Sequence, residues 1–545
     1  MLIRIKGAHV VDPANKRDEI GDLWIRGDEI VAPPDGGAEA DETVEANGLV
    51  AMAGGIDIHS HIAGANVNTA RLMLPEQHRA HANRPAATPL SNVGWSTFET
   101  GRLYAQMGFT TVVEPAVAPH HALHAHLELA DTPIIDKAIL TILGNDDFVL
   151  GLMRSGEGAT AIRDHVAWIL ETTRALGIKV VNAGGVAAFK ENVRSFSFDD
   201  VVPSYGVTSR QIVKALQRAV HEAGVPHPLH VHCNNLGLPG NVETALTTIA
   251  AADNLPLHLA HLQFYGYGKE GPQGFSSAAP RLAEAVNAAK TVSIDVGQVM
   301  FGQTVTISSD VLRQFSARGQ ARPKKYAIID GDSNGAGVVP YEYRTGSFHN
   351  AVQFAVGLEL FLLIDDPWRV FFTTDHPNGA PFTTYPEIFA LLMDKDLRAQ
   401  WLSRLPKDAV AVTTLPSLTR EYTLNEIATM TRAAPAKLLG LPNRGHLGAG
   451  ARADVALYRP GKDIAQMFRA AARVYKDGDL VVRDGAMTHT RFGRALAVTP
   501  AVEASMQRRM KEYYDARYGL PSDFMRVPDG AVGRPHPFEA VACAR

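Results

Sequence analysis

Two histidines one residue apart, His59 and His61, close an apolar run that starts at Gly48 and reads as a strand ending in polar side chains. Alternate residues of a strand share a face, so both imidazoles point the same way, as two ligands of one catalytic metal must. The chain holds 21 histidines, enough for such a pair to arise by chance, so its meaning depends on what joins it. Four more residues of ligand type stand at the ends of apolar runs: Lys179, His232, His261 and Asp375. Four imidazoles, one carboxylate and a modified lysine make the ligand set of a hydrolytic two-metal site, where a shared water loses its proton near neutral pH. Nitrogen and oxygen donors suit zinc, with iron, cobalt and nickel left open on softness.

Asp375 carries a catalytic reading as well, because a carboxylate beside a metal can take the proton of the attacking water and pass it to a leaving nitrogen. The same Asp-His-Pro-Asn-Gly stretch is also turn chemistry. Lys179 has two readings. By residue type alone it is a lysine that snorkels or pairs with a carboxylate. Its apolar neighbours Ile178, Val180 and Val181 disfavour the ammonium and bring the neutral amine within reach, and carbon dioxide would convert that amine to a bridging carbamate. His230 shares a face with His232, but it and His258 lie two and three positions earlier, so both are read as packing or supporting residues. His120, His121, His124 and His126 have helical spacing and read as a solvated helix face.

Positioning these residues requires a scaffold. Short apolar runs at 55–59, 110–114, 139–143, 178–181, 229–232, 257–261, 292–295 and 370–374 alternate with helical patterns such as 161–176 and 210–223. This alternation predicts an α/β fold, a (β/α)8 TIM-like barrel over 51–433, whose active site lies at the C-terminal ends of the strands. The strand-rich ends, 1–50 and 434–500, predict one small composite β-sandwich, and 501–545 a helical tail whose Arg508, Arg509, Tyr513 and Tyr514 either meet a partner or face solvent. The long stretch 63–89 after the first strand, with Asn66, Asn68, Arg71, His78 and Arg84, reads either as a grip on an extended acidic carrier or as a structural lid.

Of the 545 residues 46% are hydrophobic, and 53 basic against 57 acidic residues give a net charge of −4. That balance argues against nucleic acid or a membrane surface as partner. The two cysteines, Cys233 and Cys543, form no redox or iron–sulfur motif and suit a reducing cytoplasm. The N-terminus lacks the order of a signal peptide, and no apolar run reaches the 18 or so residues of a membrane span.

The chain resembles the amidohydrolase superfamily, of the cyclic-amidohydrolase type. The resemblance rests on Gly-Gly-Ile-Asp-Ile-His-Ser-His ending at His61, on Lys179, on His232 followed by Cys233-Asn234, on His261 and on Asp375. The stretch from Ala433 through Asp454 to Tyr458 looks like that superfamily's return from barrel to sandwich. The phrases around Lys179, His230 to Gly237, His258 to Phe264 and Thr373 to Gly379 are similar to the A-subunit family shared by formylmethanofuran dehydrogenases and bacterial formyltransferase/hydrolase complexes. That resemblance implies two zinc ions bridged by carboxylated Lys179. It also implies hydrolysis of formyl-methanofuran or formyl-methylofuran to formate and free amine in one-carbon metabolism, with a formyltransferase among several partner subunits. The rival functions are a hydantoinase or dihydropyrimidinase acting on cyclic amides, and a non-catalytic subunit that only docks the carrier.

Overall fold

A computed structural model describes residues 1–34, 39–73, 97–308, 317, 319–320, 330–331, 337–531 and 538–544. Eight parallel strands form its centre: β1 (Gly55–Asp57), β2 (Phe109–Val117), β3 (Asp136–Leu143), β4 (Gly177–Val181), β5 (Leu229–His232), β6 (Leu257–Leu259), β7 (Val292–Asp295) and β8 (Val370–Phe371). Each pairs with the next in chain order. A parallel bridge between Ser60 and His376, with His61 N–H donating to His376 O at 2.9 Å, joins the last strand to the first.

The strands are apolar on both faces because helices cover the outside of the ring. The helix Ser209–Glu222 shows how the sequence builds that cover. Thr208 and Gln211 form a reciprocal capping box, and Ile212, Val213, Leu216, Ala219 and Val220 recur at helical spacing on the buried face. Among the described residues no helix is long and apolar enough to cross a membrane.

Strands from the two ends of the chain combine in one nine-stranded sheet. Val455–Tyr458 runs antiparallel to Val50–Ala53, and Leu2–Asp12 follows on the far side of Val50–Ala53. The sheet folds over a small core of its own, with Ile3, Ile5, Val10, Leu23, Ile25, Val44, Val455 and Leu457 buried together.

Two segments depart from the expected layout. Ala495–Val498, expected in the sandwich, lies parallel to β3 at Lys137 instead. All four of its residues are buried, so it fits a layer covered on both sides better than a half-exposed sheet. Phe538–Val541, expected in a helical tail, is a strand that pairs with it. The helix Ala504–Tyr518 does form, and it is not free: Met506 and Met510 are buried and Arg509 binds Glu157 at 2.8 Å.

Candidate metal centre

The upper ends of the strands turn sharply. Non-glycine residues take the left-handed region just past four of them: Asn182 after β4 (φ 46°), Asn235 after β5 (69°), His261 after β6 (34°) and Asp375 after β8 (51°). Such backbone is costly and gathers at functional sites. Past β7 the position is Gly297, φ 68°, where a Cβ would stand 2.5 Å from His261 Cβ. Only glycine satisfies both the backbone and the close approach of His261.

Here the six residues expected as ligands converge. His59 Nε2 lies 3.0 Å from Asp375 Oδ1 and 3.3 Å from Lys179 Nζ, and His61 Nε2 is 3.2 Å from the same Asp375 oxygen. His232 Nδ1 and His261 Nε2 are 3.1 Å apart, and the His59 and His261 rings are centred 5.2 Å apart. Donor atoms bound tetrahedrally at zinc distances stand about 3.3 Å from one another, so these spacings suit shared ions. His61, Lys179, His232, His261 and Asp375 line the floor of a cleft of about 290 Å³. Imidazole nitrogens, a lysine amine and a carboxylate oxygen brought within about 3.3 Å of one another in a buried pocket are the donor chemistry of a cation site.

Two carboxylates aim the first-strand histidines. Asp295, at the end of β7, accepts from His59 Nδ1 at 3.0 Å. Glu114, within β2, accepts from His61 Nδ1 at 3.1 Å and from the Ile62 and Ala63 amides at 2.6 and 3.0 Å. A carboxylate accepts only, so each Nδ1 carries a proton; in the metal-free chain His61 Nε2 carries one toward Asp375 as well, in the place a bound cation would take. Burial opposes a charge on His61, yet Glu114 and Asp375 outweigh it and raise its pKa to about 9 in the metal-free chain. Burial lowers the Lys179 amine to about 8 against the pull of Asp375, Asp295 and Glu114. Burial works against the Asp375 carboxylate, but His261 and His59 hold its pKa well below the ordinary value.

His230 and His258 sit behind these residues. His230 Nε2 is 3.0 Å from His59 Nδ1, and its other nitrogen is 3.1 Å from His227 Nε2. His258 bridges Ser293 Oγ at 2.9 Å and Asp295 Oδ2 at 3.1 Å. Glu114 and Asp295 are the residues that sequence reasoning missed as functional. Both end runs already identified as strands, so reading the second and seventh strand ends as the others were read would have found them.

The histidines at 120–126 are not one solvated face. His126 is buried, with Nε2 3.0 Å from Thr173 O, while His120 and His121 line the cleft. The burial of Ala122, Ala125, His126 and Leu129 shows the true inward stripe. On the first-strand insertion, Asn66 also lines the cleft, and Arg71 binds Glu128 at 2.9 Å. His78 and Arg84 lie outside the described residues.

A barrel whose strand ends gather four histidines, a lysine and an aspartate defines a class. A profile of the amidohydrolase family matches residues 42–489, and the chain belongs to that family. Within it, the chain is 48% identical over 549 aligned residues, covering 100% of both proteins, to the A-subunit of the formyltransferase/hydrolase complex Fhc of Methylorubrum extorquens. It is 39% identical over 517 residues, 91% of this chain and 90% of the relative, to the protein FwdA of Methanocaldococcus jannaschii. A chain in the crystal structure of the M. extorquens FhcABCD complex with methylofuran matches it with a TM-score of 0.94, 48% identity and full coverage of both.

Proposed function

We propose that this protein is the hydrolytic subunit of a formyltransferase/hydrolase complex and cleaves formyl-methylofuran to formate and the free amine. The observation that carries this reading is the full-length likeness to the Fhc A-subunit, whose complex was crystallised with methylofuran. In this reading His59, His61, Lys179, His232, His261 and Asp375 would hold two zinc ions, Lys179 as its carboxylated form. The converging donor atoms, the histidine tautomers fixed by Asp295 and Glu114, and an amine at about 8 that is readily deprotonated all support that assignment.

Bound there, the two ions supply Lewis acidity and a water acidic enough to ionise near neutral pH. The chain's own residues do the rest. Asp375, ionised in the resting site, accepts the proton of the attacking water at its carboxylate and returns it to the nitrogen as the C–N bond breaks. The apolar walls at Val117, Leu236 and Phe264 limit the water that reaches the formyl group. A formyltransferase partner would load the carrier, and the other subunits would hold the two sites in one assembly. The free cysteines, buried Cys233 and half-buried Cys543, suit a reducing cytoplasm.

The test is direct. The purified complex, supplied with formyl-methylofuran, should release formate in proportion to its zinc content. Hydrolysis of dihydrouracil or hydantoin without release of formate would contradict the substrate assignment, and carrier binding without turnover would favour a docking subunit.

A further inference from the structure

The turn that bears Asp375 is gripped from above by a ribbon of Gly302–Ser308 antiparallel to Gly337–Tyr343, to which the short strand Asp330–Gly331 also pairs. Three hydrogen bonds make the grip. Ile307 N–H donates to Asn378 Oδ1 at 2.6 Å, Tyr343 O–H donates to Asn378 O at 3.2 Å, and Thr304 Oγ1 donates to Pro377 O. Asn378 in turn donates from Nδ2 to Asp375 Oδ2 at 2.9 Å. The orientation of this amide is fixed from both sides. A backbone N–H can only donate, so the carbonyl oxygen of Asn378 must face Ile307, which leaves its NH₂ toward a carboxylate that can only accept. One Asp375 oxygen is thereby tied down, and the other, Oδ1, faces His59 Nε2 at 3.0 Å and His61 Nε2 at 3.2 Å.

We propose that Asn378 is a positioning residue, which fixes the Asp375 oxygen turned to the reacting atoms and couples it to the ribbon roofing the cleft. Thr306, Ile307 and Asn378 all line that cleft, so a carrier lying against the ribbon bears on the chain of bonds that ends at Asp375. The inference rests on the proposed hydrolase reading, since it concerns how Asp375 is held for that reaction.

Asn378→Asp separates positioning from mere filling of space. The aspartate keeps the volume and the acceptor for Ile307 N–H but replaces the donor to Asp375 with a second carboxylate, which raises the pKa of the pair, so the pH profile of kcat should also shift upward. With the complex and formyl-methylofuran, kcat should fall by about 10²-fold, the scale of a misplaced catalytic group. KM, zinc content and melting temperature should stay near those of the parent. Asn378→Ala should lose kcat to a similar extent, and Tyr343→Phe, which leaves Asn378 in place, should lose less. Parent-like kcat in Asn378→Asp, or a loss of kcat matched by a loss of zinc or of folded protein, overturns the positioning role. If the parent complex itself releases no formate, the failure belongs to the hydrolase reading instead.

Discussion

Where β3 begins, at the lower mouth of the barrel, Lys476 Nζ lies 3.1 Å from Asp136 Oδ2 and 2.9 Å from Asp454 Oδ2. Arg444 adds contacts of 2.8 Å to Asp136 and 2.7 Å to Glu539. At the upper mouth an equally buried group meets its carboxylate through imidazoles, with His59 Nε2 at 3.0 Å and His61 Nε2 at 3.2 Å from Asp375 Oδ1. The lower cluster is neutralised within itself and joins the barrel to the sheet built from the chain's two ends. The upper one crowds imidazole nitrogens, the Lys179 amine and the Asp375 carboxylate around a shared space that opens on the cleft. The partner of each carboxylate, lysine or arginine below and imidazole above, and not the amount of buried charge, separates the structural cluster from the functional one.

The largest effect on turnover belongs to the upper cluster. Asp375→Asn should cost roughly 10³-fold in kcat, within the range of general acid–base catalysis, while zinc stays bound. A kcat assay with metal analysis checks both halves, and Lys179→Ala should instead lower the zinc content. The largest effect on stability belongs to the lower cluster. Lys476→Met leaves Asp454 buried without a cation and Asp136 with Arg444 alone, a loss of about 3–5 kcal/mol in denaturant unfolding. The turnover of the protein that still folds should not change. Glu114→Gln touches the upper cluster more gently. It weakens the hold on His61 Nδ1 and should reduce zinc affinity about 10- to 100-fold in competition with a chelator.

An effect that appears only in acid comes from two histidines outside both clusters. Burial lowers His126 and His165 from 6.5 to about 4. Between pH 6.5 and 4 the unfolded chain therefore binds protons that the folded one refuses. Stability is fully present above pH 6.5 and falls as the pH drops, by about 1.4 kcal/mol per unit for each histidine. Melting temperatures at pH 7 and pH 5 measure the slope, and His126→Gln should flatten it.

Much of this was legible in the sequence because apolar runs and the polar residues that close them are local signals. All eight barrel strands lie where β-branched runs placed them, and the residues at five of their ends converge in space. What escaped was non-local. Glu114 and Asp295 read as the ends of strands, because their role depends on imidazoles 53 and 236 positions away. His126 looked solvated while its neighbours Ala122 and Leu129 already marked the buried side. The strand Ala495–Val498 is buried throughout and joins the ring at its edge, pairing with β3 at Lys137, a non-local placement that a four-residue run does not announce.

The most direct test of the account is a crystal structure of the purified chain with diffraction recorded on both sides of the zinc absorption edge. Two anomalous peaks between His59, His61, Lys179, His232, His261 and Asp375, with density for a carboxylate on Lys179 Nζ, are the expected result. A single ion on the inner side of His59, held with His230 and Asp295, would contradict it, because those three residues also stand close enough to bind a metal.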